Sequence, residues 1–231
     1  MIGGAKRAWA RRRLAEAGAD PRLLEYLGRR FAPRGRTPIR EARFVVLDTE
    51  ATGLDPAQAN LLSLSAVGVQ GGAVHLQDRL DLVVRHDHVG GHSAAPVHGL
   101  VRRDLAAGVD PEEAALRFLA MAQDAVLVAH HAAFDLALLS RTLRALGAPG
   151  VANAAVDTAH LVRRLDGGPL VDTAKAREDR SLDALVARLG FEIPDRHTAA
   201  GDALATAFAF LALLGRARRR GITTLGELLA R

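Results

Sequence analysis

The run Phe44-Val-Val-Leu47 is wholly apolar and ends directly on Asp48 and Glu50. A short segment so rich in β-branched and aromatic residues reads as a buried central strand over residues 44–48. Strand side chains alternate, so two acids two positions apart leave on the same face. A fold that buries this strand must therefore set two like charges side by side at its end. They repel unless solvent or a cation separates them. Alone, the segment fits two outcomes: a solvated strand end running into the turn Thr52-Gly-Leu-Asp-Pro56, or a cation site.

Two further segments bear on that choice. Asp135, in His130-His-Ala-Ala-Phe-Asp135, follows an apolar strand and opens a helix. Asp202 stands five residues after His197 in His197-Thr-Ala-Ala-Gly-Asp202, within a segment of small apolar residues. Each acid also fits a first-turn residue that complements a helix dipole. A helix beginning near residue 198 places His197 just before it and Asp202 inside, so the two share one cavity without being adjacent ligands. Taken together, Asp48, Glu50, Asp135 and Asp202 offer four oxygen donors, a set suited to Mg²⁺ or Mn²⁺. Two such ions roughly 3.5–4 Å apart form the clamp used for in-line phosphodiester cleavage. An imidazole with an unperturbed pKa near about 6.5 suits His197 to accept a water's proton.

The chain has 231 residues, 49% of them hydrophobic, which is enough for one sizeable core plus an appendage. It has no cysteine, which excludes disulfides and thiolate metal sites and fits a cytoplasmic protein. No run looks long enough to span a bilayer, and no apolar stretch follows the charged N-terminus as in a signal peptide. The net charge of +5 is unevenly placed. Residues 1–43 hold 12 Lys/Arg against 4 Asp/Glu, whereas residues 44–231 hold 19 against 22. A basic N-terminal arm points to an anionic partner, nucleic acid before membrane surface, or else to arginines on a solvated helix face.

Periodicity divides residues 5–32 into two helices broken at Ala19-Asp20-Pro21, with Asp20 as cap. A Pro- and Gly-containing linker leads to a main domain near residue 40. Strands are expected at 61–70 and 73–85, joined by a Gly71-Gly72 hairpin. Helices follow at 101–107 and 111–123, the latter with Asp110 capping and Pro111 at its first position. A fourth strand is expected at 125–129, a helix at 134–146 closed by Gly147, and a fifth strand at 151–155. Helices at 158–165, 181–189, 199–214 and 223–229 complete the pattern, with a charged loop at 166–180. The order implies an α/β domain: a mixed sheet, three antiparallel strands and then parallel ones, covered by helices. The expected units are a helical arm and linker at 1–39, the domain at 40–215 and a short helical segment at 216–231.

As a set, these residues resemble the DEDDh 3′–5′ exonucleases, the family of the bacterial proofreading epsilon subunit. Asp48–Leu54 is similar to the family's Asp-x-Glu-x-Thr-Gly-Leu, His130–Asp135 to His-x-x-x-Phe-Asp, and His197–Asp202 to His-x-x-x-x-Asp. Val97-His-Gly-Leu100, Val156-Asp-Thr158 and Ser181-Leu-Asp-Ala-Leu185 resemble its intervening elements. The resemblance covers about residues 43–215. It implies an RNase H-like fold and two divalent cations held by Asp48, Glu50, Asp135 and Asp202, with His197 as general base. The family releases nucleoside 5′-monophosphates from 3′ ends. Thr52, Gly53 and Leu54 would meet the terminal nucleotide, with His98, His131 and Phe134 lining or supporting the pocket. Ala51 stands where the family often has Thr, and His131 where it often has Asn; both bear on substrate preference.

The expected substrates are single-stranded or frayed 3′ ends of DNA. RNA trimming is the alternative within the enzyme class, and a binding module without chemistry the alternative outside it. The chain ends soon after the domain, which favours a stand-alone or differently partnered exonuclease over the proofreading subunit itself. His86, His88, His92 and His98 crowd one stretch but match no standard ligand spacing, and read as a loop lining the substrate groove. Gln77–Leu82 loosely resembles a sliding-clamp peptide but falls inside an expected strand. Arg216-Ala-Arg-Arg-Arg220 reads as a solvated helix end. With 4% aromatic residues, extended base stacking is not expected to dominate binding.

Overall fold

The computed structural model describes residues 3–31, 35–86, 102–167 and 181–230. Five strands form one sheet in the order β3-β2-β1-β4-β5. They are β1 (Phe44–Ala51), β2 (Leu61–Gln70), β3 (Ala73–Val83), β4 (Val126–Ala129) and β5 (Ala155–Asp157). The pairs β1/β2 and β2/β3 are antiparallel, whereas β1/β4 and β4/β5 are parallel. This is the mixed α/β sheet expected. Gly71 and Gly72 carry the positive φ angles, 62° and 82°, that a two-residue hairpin demands.

The central strand is buried on both faces because its side chains serve two cores. Val45 and Leu47 join a cluster with α2 (Pro21–Gly28), α4 (Pro111–Ala122) and α5 (Ala133–Ala145). Phe44 and Val46 join the opposite cluster with α6 (Thr158–Asp166), α7 (Leu182–Leu189), α8 (Ala199–Arg219) and α9 (Leu225–Leu229). The Phe44 and Phe210 rings meet edge-on at 5.0 Å across the β1–α8 interface. The expectation that no segment could span a bilayer needs correction: α8, at 21 residues, is long and apolar enough by length and composition. It lies across β1 and β2 as a core helix, burying Ala205, Ala209, Phe210 and Leu213. It also runs past the boundary expected at residue 215.

At the N-terminus, α1 (Gly4–Glu16) and α2 pack on each other, and α2 packs on α4. Asp20 caps α2 by accepting from the Arg22 N–H at 2.8 Å, and the Arg22 guanidinium joins Asp20 to Glu113 of α4. Beyond α2 the chain zips to the C-terminal segment. Ile39 N–H donates to Thr223 O, Leu225 N–H to Thr37 O, and Gly226 N–H to Gly35 O.

Three local expectations differ from the structure. Asp110 stands at the N-cap of α4 but makes no side-chain cap bond, because its carboxylate pairs with Arg85 at 3.0 Å. The third strand ends at Val83, where Val84 bridges Val109 instead, just past α3 (Arg102–Ala106). The fifth strand begins at Ala155, not residue 151. The backbone N–H groups of Val151 and Ala152 are bonded sideways to side chains, so they are unavailable to a ladder, and the Asn153 side chain joins the same network. Ser140 Oγ accepts from Val151 N–H, and Tyr26 OH accepts from Ala152 N–H. The Asn153 amide donates to the Gln123 and Ala125 carbonyls. Tyr26, 1% exposed, completes this network by donating its hydroxyl to Asn153 Oδ1 at 2.7 Å.

Removing that hydroxyl strands a buried N–H and a buried amide oxygen. We expect Tyr26→Phe to destabilise the fold by about 1–3 kcal/mol, read by denaturant unfolding. An unchanged midpoint would show that the network does not anchor α2.

Candidate active site

Pairing of β1 with β4 stops at Val46–Val128. Beyond it β1 continues alone on that side through Asp48 and Glu50, opening a crevice at the carboxyl ends of two parallel strands, where open α/β sheets commonly bind ligands. By alternation, Asp48 and Glu50 share the face of Phe44 and Val46, the face covered by α8. The first turn of α8 brings Asp202 to them. One oxygen from each of Asp48, Glu50 and Asp202 lies within 4.8 Å of the others. Hard oxygen donors at that spacing fit a divalent cation of the Mg²⁺ or Mn²⁺ type.

Asp135 arrives from the other side, in the first turn of α5, and is 4% exposed. Thr49, on the opposite face of β1 from its two acidic neighbours, donates its hydroxyl to Asp135 Oδ1 at 2.6 Å. Burial pushes the carboxyls of Asp48 and Asp135 well above the usual range. The charges of Asp135 and Glu50 raise Asp48 further, and Arg196 works against the rise. Thr49's hydrogen bond partly offsets the rise at Asp135. Glu50 is pushed up to about 7, by burial first and by Asp135 second. Burial and mutual repulsion thus disfavour the charged forms of the carboxyls gathered in the crevice.

His197 lies just before α8 and is exposed, with its Nε2 3.8 Å from Asp183 Oδ2 on α7. Its backbone N–H donates to Asp202 Oδ1 at 3.0 Å. The turn carrying it is tight: Asp195 and His197 have φ of 58° and 64°. Thr198 caps α8 through Gly201 N–H and donates to the Asp195 carbonyl at 2.6 Å. Gly201 is required here, because a Cβ would overlap that carbonyl. Beside the histidine, Arg196 donates to Asp202 and, at 2.5 Å, to Asp183. Neither Arg196 nor Asp183 was singled out from the sequence. Asp183 lies within the Ser181–Leu185 motif, and Arg196 directly precedes His197, so adjacency was the one signal available for either.

Thr52, Gly53 and Leu54 follow directly on β1. Leu54 is 96% exposed, and Thr52 Oγ1 accepts from Asn60 N–H at 2.9 Å, closing the loop. Arg141 of α5 donates to the Ala57 and Ala59 carbonyls and ties that loop to the helix carrying Asp135, a role with no sequence signature. Phe134 is half-buried against the core under α5. His131 is exposed at φ 63°, its N–H donating to Asp157 Oδ1 at 3.3 Å. His130 meets Thr158 Oγ1 at 2.8 Å. His98, the Val97–Leu100 element, His88 and His92 lie outside the described residues, as does most of the 166–180 loop.

The sequence profile of the exonuclease family, RNase_T, matches residues 45–210. The chain is 38% identical over 196 residues to a DNA polymerase III subunit epsilon-like protein of Rhodobacter capsulatus, covering 84% of this chain and 27% of that protein. It is 30% identical over 188 residues to a PolC-type DNA polymerase III of Thermotoga maritima, covering 81% of this chain and 13% of that one. It thus spans about a quarter or less of these relatives' lengths. In fold it is similar to E. coli Exonuclease I in complex with a dT13 oligonucleotide, with a TM-score of 0.66 at 15% identity over 78% of this chain and 43% of that one. The profile spans both strand acids, Asp135, His197 and Asp202, and on that match the chain belongs to the RNase_T exonuclease family.

Proposed function

We propose that this chain is a metal-dependent 3′–5′ exonuclease that releases nucleoside 5′-monophosphates from DNA 3′ ends. The observation that carries the reading is the convergence of Asp48, Glu50 and Asp202 within 4.8 Å, with Asp135 buried beside them. Such a cluster is costly unless cations occupy it. Two divalent cations, Mg²⁺ or Mn²⁺, would be held by these four carboxylates. Bound there, they would supply Lewis acidity, lowering the pKa of water and offsetting charge on the departing oxygen.

The chain's own side chains account for the remaining tasks. His197, exposed at the lip, takes the proton of the attacking water. Thr52, Gly53 and Leu54 present backbone and an apolar side chain to the terminal nucleotide, with Phe134 supporting the floor and His131 at the edge. His98 belongs to the same proposed pocket. The oligonucleotide in the Exonuclease I complex supports single-stranded or frayed DNA as substrate. The lack of cysteine fits a reducing compartment, and we place the protein in the cytoplasm.

The deciding experiment is a denaturing-gel time course on 5′-labelled DNA and RNA strands with Mg²⁺ or Mn²⁺, EDTA and Asp48→Ala serving as controls. We expect a ladder shortening from the 3′ end of DNA, lost in both controls; faster RNA shortening would reassign the substrate, and none on either strand would sink the activity. His197→Ala should lower turnover about 10²–10⁴-fold. Calorimetric Mn²⁺ binding should stay nearly intact in that variant, whereas undiminished cleavage at neutral pH would remove the histidine from the base role.

Stability should report on the cluster as well. Because the carboxyls of Asp48, Glu50 and Asp135 have raised pKa values in the folded state, they favour folding below about pH 4 and that contribution is lost as pH rises through about 7. Metal-free protein should therefore melt lower at pH 8 than at pH 6. Divalent cation should restore the loss, adding about 2.7 kcal/mol at a hundred times its Kd. A melting temperature indifferent to both pH and Mn²⁺ would argue against a cation site.

A further inference from the structure

The excess positive charge of residues 1–43 is not spread over an unstructured tail. The helices α1 and α2 enclose an open cleft of about 700 Å³ whose lining includes Arg7, Arg11, Arg12, Arg29 and Arg30 with one acid, Glu16. Its guanidinium groups are displayed on a fixed frame. Arg7 lies over the Phe31 ring at 4.8 Å, and Arg11 Nε donates to the Leu24 carbonyl at 3.0 Å. Arg12 and Arg30 are exposed. The ion pair Arg12–Glu16 is solvent-facing, so an anionic ligand displaces it at little cost, whereas Arg29 is half-buried and held by Glu25 and Asp124.

A second feature lies on the flank of the same helix. Trp9, the chain's only tryptophan, is 63% exposed, with the Arg13 guanidinium 5.2 Å from its ring. Trp9 precedes Arg12 by three positions and Arg13 by four, so the three share neighbouring helix surface. A large aromatic face left in water beside arginines is the pairing that takes a nucleobase and its phosphate together.

The cleft is remote from the carboxylates. Leu14 of α1 stands against Gly147, just past the end of α5, whose first turn carries Asp135. A helix of 13 residues separates the two ends, a length of roughly 20 Å. The cleft therefore cannot touch the nucleotide being removed, only the strand several nucleotides to its 5′ side.

We propose that the α1–α2 cleft is a second nucleic-acid site, in which these arginines hold the phosphodiester backbone of the 5′ part of the strand and Trp9 stacks on a base. The inference rests on the exonuclease reading for the identity of the polyanion, and its test is separable from that reading because it needs no cleavage.

The experiment uses the full chain in EDTA with fluorescein-labelled oligothymidylates of increasing length, across a salt series. Strands of three nucleotides, about 10 Å at stacked spacing, are too short to bridge the two sites, whereas longer strands should bind more tightly. The double variant Arg12→Glu/Arg30→Glu should lose that gain, weakening long-strand affinity about tenfold and flattening the salt slope by about 1.4. Trp9 emission in the unmutated chain should change on DNA binding, and at lower concentrations of long strands than of short ones, a readout that holds even if the variant fails to fold.

Affinity, slope and Trp9 emission all indifferent to strand length would overturn the proposal. So would Trp9 emission that responds to phosphatidylserine vesicles and not to DNA. Binding at the cleft without hydrolysis in the gel assay would sink the exonuclease reading alone. Hydrolysis with length-independent binding would sink the cleft alone.

Discussion

The mutual repulsion of carboxylates at the end of β1 is the constraint to which the surrounding structure answers. Alternation along β1 puts Asp48 and Glu50 on one face, and the helices bring Asp135 and Asp202 to the same crevice. Burial deprives Asp48, Glu50 and Asp135 of water, which is why protonation becomes easier there. A fold selected for stability alone would separate these groups. Their convergence is a local conflict that the rest of the molecule tolerates, the pattern expected of a working site.

Three devices soften that conflict within the chain. Asp135 and Asp202 both sit in first turns, where the positive ends of α5 and α8 favour negative charge. Thr49 donates a hydroxyl to Asp135 from the far face of the strand. Arg196 reaches Asp202 and links it to Asp183, so a permanent cation borders the cluster without belonging to it. The remaining deficit is what divalent cations would fill.

The two helices that deliver the acids are also the pillars of the two cores. α8 buries Phe210 and Leu213 under the sheet with the same rigid body that carries Asp202, and α5 buries Leu138 and Leu139 behind Asp135. Site geometry is thereby coupled to core packing, and the carboxylates cannot drift without moving close-packed side chains. The tight turn before α8, with Gly201 against the Asp195 carbonyl, extends that control to His197. On the far side, α1 and α2 keep their arginines on a frame anchored by Tyr26 and Leu23, physically apart from the acids.

What was legible in the sequence follows from local rules. The apolar run at 44–48 located β1; the Gly71-Gly72 pair marked the hairpin between β2 and β3; Asp20 preceded a helix that it does cap. The acids were legible because their spacing on a strand or helix fixes which face they occupy. The misplaced features depend on partners distant in the chain. The fifth strand starts late because Tyr26, 127 positions before Asn153, takes over its bonding. Asp110 does not cap because Arg85 claims it, and α8 extends to Arg219 because the sheet and α6 cover its flank. Arg196, Asp183 and Arg141 gain their roles only when separate helices and loops meet. The sequence by itself determined which residues carry charge and which elements hold them, because propensity and periodicity act within a few residues. The tertiary structure decided which charges face one another and how far water is excluded from them, because both depend on contacts that no local pattern encodes.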